Sequence, residues 1–131
     1  MSTILVNTLT GTGTAGSIAV TGEGNSTTTN LQQGLAKAWL SATSTVSFYD
    51  SFNFSSGTDH GTGDYSYSLT NAYATRTGYS QAGAVYTSAG GSTITRNSSR
   101  DAAGTVAMEV TNAAGTAADA SKNVMTHGDL A

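Results

Sequence analysis

Apolar and polar residues alternate most clearly between Val46 and Phe54, where Val46, Phe48, Phe52 and Phe54 share one face and Ser47, Tyr49, Ser51 and Asn53 the other. That period of two predicts one long strand, with Asp50 breaking its apolar face and so marking a bulge or kink. The run 55–64, SSGTDHGTGD, has the glycines and aspartates of a connecting loop, and alternation restarts at Tyr65, Tyr67 and Leu69 to complete a hairpin. Shorter strands are expected over 82–87, 92–96, 106–111 and 123–130, with Ala/Gly/Ser-rich loops at 97–105 and 112–121. Two patterns compete between Asn30 and Leu40. Leu31, Leu35, Ala38 and Trp39 fit a helical period, whereas Leu35, Lys37 and Trp39 alternate; because Gly34 interrupts the helix, a turn followed by a strand is expected. Trp39, Phe48 and Phe52 are the aromatic residues expected in the core.

Short strands separated by turn residues at this spacing predict an all-β fold, a small antiparallel β-sandwich or jelly-roll-like body over residues 31–131. Residues 1–30 read differently. Two short β-prone runs, ILVNTL from Ile4 and SIAVT from Ser17, are joined by GTGTAG and followed by the polar tract GEGNSTTTN. Neither run is long enough to be stable alone. An extended N-terminal arm is expected, gaining order by pairing with the body, a sister chain or a partner's sheet edge. Ile4, Leu5, Val6 and Leu9 are its candidate anchoring residues.

Composition narrows the function. With 131 residues the chain suits one domain. It holds 23 threonines, 17 serines and 16 glycines, and only 10% of its residues are charged, well below the roughly 25% of an ordinary domain. Such a surface is kept in solution by hydroxyls and amides or is covered by partners. The five basic residues, Lys37, Arg76, Arg96, Arg100 and Lys122, form no stripe able to follow phosphates, and the net charge is −3, which argues against nucleic-acid binding. No run approaches a membrane span, and the first residues lack the pattern of a secretory signal, so cytoplasmic synthesis without membrane insertion is expected. Without cysteine there are no disulfides or thiolate metal sites, and a small core can be supplemented by oligomerisation.

No catalytic, cofactor or metal site emerges. Gly11 to Gly16 matches G-x-G-x-x-G, but a dinucleotide loop needs a helix after it and SIAVTG follows. Asp59, His60 and Asp64 have suitable ligand chemistry, yet Asp and Gly are also what a strand connection requires. Ser98, Ser99 and Asp101 lie close in sequence without a nucleophile elbow around either serine. Three N-x-[ST] sequons, at Asn25, Asn53 and Asn97, are no more than the hydroxyl content produces. Tyr65, Tyr67, Tyr73, Tyr79 and Tyr86 cluster; Tyr73 and Tyr79, outside clear strand periodicity, are the candidate surface-binding aromatics.

Gly34-Leu35-Ala36-Lys37-Ala38-Trp39, Asp50-Ser51-Phe52-Asn53, Gly61-Thr62-Gly63-Asp64-Tyr65, Asn71-Ala72 and the closing His127-Gly128-Asp129-Leu130-Ala131 stand in this order. The set resembles a β-rich segment of structural, fibre-like proteins of tailed bacteriophages, especially marine ones, and Met1 to Leu9 is similar to the start of many such virion proteins. The resemblance covers about residues 34–73 and the last five, and it carries over no catalytic residue. It implies a virion protein that is not an enzyme, assembled as a homotrimer, with the major capsid protein or another virion protein as partner. A short arm in place of a long shaft favours a capsid decoration (cement) protein or short head fibre over the alternative, a tail-fibre or receptor-binding module contacting host surface glycans.

Overall fold

The computed structural model describes residues 3–11, 13, 18–21, 28–86 and 92–131. The chain divides into two compact units, 1–35 and 36–131. In the first, β1 (Ala19–Thr21) pairs antiparallel with β2 (Thr28–Asn30), and a single helical turn, α1 (Leu31–Gly34), follows. The Leu31 N–H donates to the Ile18 carbonyl at 2.8 Å. Among the described residues, 4–9 pair with no strand, although ILVNTL reads as β-prone, and the described part of the second β-prone run forms the short β1. Residues 30–40 resolve into that turn and then a strand.

The second unit is all-β. Its strands are β3 (Ala38–Ala42), β4 (Phe48–Phe52), β5 (Phe54–Gly61), β6 (Asp64–Leu69), β7 (Tyr79–Tyr86), β8 (Thr93–Arg96), β9 (Thr105–Thr111) and β10 (Ser121–Gly128). They form two four-stranded antiparallel sheets, ordered β4-β3-β10-β7 and β5-β6-β9-β8. The hairpins β3–β4, β5–β6 and β8–β9 stay within one sheet, while the steps β4–β5, β6–β7, β7–β8 and β9–β10 change sheet. Ala38, Leu40, Ala42 and Val124 of the first sheet meet Phe54, Tyr65, Tyr67, Leu69, Val106, Met108 and Val110 of the second in one buried cluster. The body is thus a small β-sandwich. Full burial of a side chain such as Leu40 contributes about 1.5–3 kcal/mol.

The long strand expected from Val46 to Phe54 is instead two strands in different sheets. Asn53 has φ of 62°, a left-handed conformation that ends β4 and turns the chain into β5. The Asn53 side chain secures this turn through long-range bonds: Oδ1 accepts from the Asn71 N–H at 2.7 Å, and Nδ2 donates to the carbonyls of Lys37 (3.1 Å) and Asn71 (3.0 Å). The irregularity expected at Asp50 lies one residue upstream. Ala42 faces Phe48 and Ser41 faces Asp50, leaving Tyr49 as the extra residue of a bulge. One extra residue inverts the faces that follow. Phe48 therefore turns inward, its ring 5.7 Å from that of Tyr67, whereas Phe52 turns outward and is exposed.

Trp39 is likewise on the outside, because Ala38, Leu40 and Ala42 take the inward positions of β3. Of the three aromatics expected in the core, only Phe48 packs against it. The run 55–64 is no simple loop either: β5 extends through Gly61, and the connection is the tight turn at Thr62 and Gly63. Strands expected over 82–87, 92–96, 106–111 and 123–130 appear with ends moved by up to three residues.

Candidate assembly surface

The segments that carry the resemblance are mostly joints of the sandwich. Asn53 and Asn71 form the β4–β5 corner. Gly63 donates its N–H to Asp119 Oδ1 at 2.8 Å, and its carbonyl accepts from Val110 at 2.7 Å, tying the β5–β6 turn to the end of β9. The closing residues pair with the β6–β7 connection: Ala131 N–H donates to the Ala72 carbonyl, Ala74 N–H to that of Asp129, and Tyr73 bridges Leu130. These contacts account for the structural part these segments play.

Tyr73 and Tyr79, expected at the surface, are buried, with 1% and 6% of their area exposed. Their rings stack at 4.6 Å. The Tyr73 hydroxyl pairs with Thr126 Oγ1 at 2.6 Å, and that of Tyr79 donates to Asp101, which also holds the Arg96 guanidinium; Arg96 lies 4.1 Å over the Tyr79 ring. Partners 22 and 53 residues away satisfy the polar ends, which is why local periodicity places them wrongly. Both residues are corrected from binding aromatics to core.

Lys122 is another buried polar group that sequence reasoning missed. Its Nζ donates to the carbonyls of Thr43 (3.1 Å) and Thr45 (2.9 Å) and sits 3.2 Å from the centre of the Tyr65 ring. Burial pushes its pKa down to about 8. The Tyr65 hydroxyl bonds Ser44 O and Asp119 Oδ1; burial first, and that carboxylate second, push it well above the usual tyrosine range. The same Tyr65 hydroxyl, with the Gly63 N–H, holds Asp119 below the usual carboxylate range. The cluster pins the 43–47 loop to β10 and is closed to solvent at Lys122.

Tyr67 differs from Tyr65 in one respect: its buried hydroxyl has no hydrogen-bond partner among the described residues. Tyr67→Phe keeps the ring contacts with Phe48 and Phe54 while removing an unsatisfied group. We expect unchanged or higher stability, by up to about 1 kcal/mol, whereas Tyr65→Phe should lose about 1–2 kcal/mol. Urea midpoints of the two variants check this, and a Tyr67→Phe loss as large as that of Tyr65→Phe would contradict it.

Asp59, His60 and Asp64 do not converge. Asp59 Oδ1 accepts from Gly61 N–H, His60 Nε2 pairs with Ser66 Oγ at 2.8 Å, and Asp64 holds Arg100 at 2.8 Å and Asn97 at 3.1 Å. Among the described residues no three His, Cys, Asp or Glu side chains come together as metal ligands. Ser98 and Ser99 are exposed in the turn before Asp101, whose carboxylate is committed to Tyr79 and Arg96. The glycine hexapeptide at 11–16 lies largely outside the described residues.

Among the exposed large apolar side chains, which also include Val20, Leu35, Tyr49 and Tyr86, two groups stand together. Ile4, Leu5, Val6 and Leu9 are 83%, 90%, 60% and 60% exposed. The second group lies on the outer face of the first sheet, where Phe52 faces Trp39, Trp39 faces Met125 and Met125 faces Ala82, one apolar row across four strands. Phe52, Trp39 and Met125 are 54%, 38% and 44% exposed. The next row, Asp50, Ser41, Asn123 and Ala84, brings its one charge at the sheet's edge. A shallow groove of about 510 Å³ runs between Trp39, Met125, Asn123 and the small residues of β7. Comparison with family models, curated proteins and solved structures finds no match to this chain.

Proposed function

We propose that this chain is a non-enzymatic structural protein of a tailed-bacteriophage virion. In this reading it is a trimeric capsid decoration protein or short head fibre, held among its neighbours by its N-terminal arm. The observation that carries the proposal is the coexistence of an arm with four exposed apolar side chains and an exposed apolar row on the sandwich. A subunit clamped among copies of itself and a shell needs both and needs little surface charge. The resemblance of residues 34–73 and 127–131 to phage fibre-like segments supplies the context, and trimeric assembly follows from that resemblance. The receptor-binding alternative loses its named aromatics, since Tyr73 and Tyr79 are core residues.

Two measurements bear on this reading. Light scattering of the purified full-length chain should give a trimer; a folded monomer that stays monomeric on concentration would overturn the oligomer. Deleting residues 2–9 removes four exposed side chains, so the thermal transition of the body should be unchanged while retention on purified phage particles falls. Unchanged retention would contradict an anchoring arm.

A further inference from the structure

The 43–47 loop that joins β3 to β4 turns three successive carbonyls inward. Those of Thr43 and Thr45 accept from Lys122 Nζ at 3.1 and 2.9 Å, and that of Ser44 between them accepts from the Tyr65 hydroxyl at 2.7 Å. The Ala120 carbonyl gives Nζ a third oxygen at 3.4 Å, and the centre of the Tyr65 ring lies 3.2 Å from it. We propose that the carbonyls of Thr43, Thr45 and Ala120, with the face of Tyr65, form a site for a large monovalent cation of the ammonium class, which the chain fills with the ammonium of its own Lys122. The site is separate from the assembly surfaces above, and it holds the loop by charge rather than by apolar packing.

The chemistry of the lining selects the ion. Carbonyl oxygens and a ring face are all electron-rich, and an ammonium brings three N–H donors, one for each oxygen. Distance selects its size. Contacts of 2.9, 3.1 and 3.4 Å suit N–H···O bonds, whereas calcium holds its oxygens at about 2.3–2.6 Å and magnesium at about 2.0–2.1 Å. Asp119 and Asp59 act on Lys122 through their charge, and both favour its protonated form. With its pKa at about 8 the side chain is an ammonium at neutral pH, while Tyr65, the titratable group in contact with it, stays neutral. Lys122 itself is buried, but the loop over it is a single layer of chain in which Ser44 and Thr45 are exposed. A small cation therefore reaches the site by opening the loop alone.

Lys122→Ala keeps Cβ and deletes the atoms that propylammonium would replace. Near neutral pH its urea midpoint should rise saturably with propylammonium or ammonium chloride, and more than with tetramethylammonium chloride, whose cation has no N–H to donate. The wild type, whose site is filled, and Lys122→Met, whose apolar side chain occupies the space, should not distinguish the salts. No difference between the salts for Lys122→Ala, or the same difference in all three proteins, would overturn the proposal. A second readout uses the unaltered chain and does not depend on any variant's stability. Lys37 and Lys122 are its two lysines, so the nitrogen NMR spectrum is simple. The lysine ammonium signal that Lys122→Met lacks should exchange its protons with water many-fold more slowly than free lysine; exchange as fast as that of free lysine would also overturn the proposal.

Discussion

Raising the pH above about 10 should unfold this protein steeply, after a modest gain in stability between about pH 8 and 10. Tyr65, Tyr67 and Tyr79 are buried, and burial is the largest cause raising each pKa above the ordinary value near 10. The Asp119 hydrogen bond adds to it for Tyr65 and the Asp101 hydrogen bond for Tyr79, and nearby Asp59 does so for Tyr67. A raised folded pKa means that the native state holds protons which the unfolded chain releases. That stability is complete below the unfolded pKa and is lost above it, by about 1.4 kcal/mol per pH unit for each such tyrosine. Lys122 works in the opposite sense. Its folded pKa of about 8 lies below the ordinary lysine value, so the unfolded chain binds the extra proton and stability rises between the two. Urea midpoints at a series of pH values check the whole profile. Lys122→Met should remove the rising limb and keep the fall, and Tyr67→Phe should make the fall shallower. A midpoint that stays level from pH 9 to about 11 would contradict the burial of these hydroxyls.

Gly63→Ala should be strongly destabilising for a single added methyl group. Gly63 has φ of +73°, where an L-residue is strained by about 1–2 kcal/mol. A Cβ there would also press into the Val110 carbonyl oxygen and come within 2.9 Å of the Ala118 nitrogen, both backbone atoms that cannot swing aside. Overpacking of this kind costs about 1–3 kcal/mol more. Gly115 supplies the control, because its φ of +78° imposes the same conformational strain while no atom lies within 4 Å of its would-be Cβ. Gly63→Ala is therefore expected to lose clearly more stability than Gly115→Ala in parallel urea titrations. Equal losses would mean that the β5–β6 turn is not packed against the end of β9 as described.

The sequence makes the β class and several strands legible because Tyr65 to Leu69 and Val106 to Val110 alternate plainly. What alternation does not say is which face meets the other sheet. In β3 the larger Trp39 suggested the core, yet Ala38, Leu40 and Ala42 point inward, opposite the bulky Tyr65, Tyr67 and Met108. The break at Asn53 is hidden for a related reason. The alternation from Val46 to Phe54 is broken only at Asp50, and the cue at Asn53 is a left-handed asparagine whose partner, Asn71, lies 18 residues away. Long-range partners also decide the fate of Tyr79 and Lys122, whose polar ends are satisfied by Asp101 and by the 43–45 carbonyls. The arm residues Ile4, Leu5, Val6 and Leu9 could be picked out from the sequence as apolar side chains with nothing local to bury them. The row on the first sheet could not, because it exists only once Phe52, Trp39 and Met125 are brought together from three strands.

The central claim, that this chain is a particle component assembled around exposed apolar surface, is tested most directly by adding the purified full-length protein to empty, tail-less phage heads. The account predicts saturable binding at many copies per head, reduced when residues 2–9 are deleted. Binding confined to tails or host cells and indifferent to that deletion would contradict it.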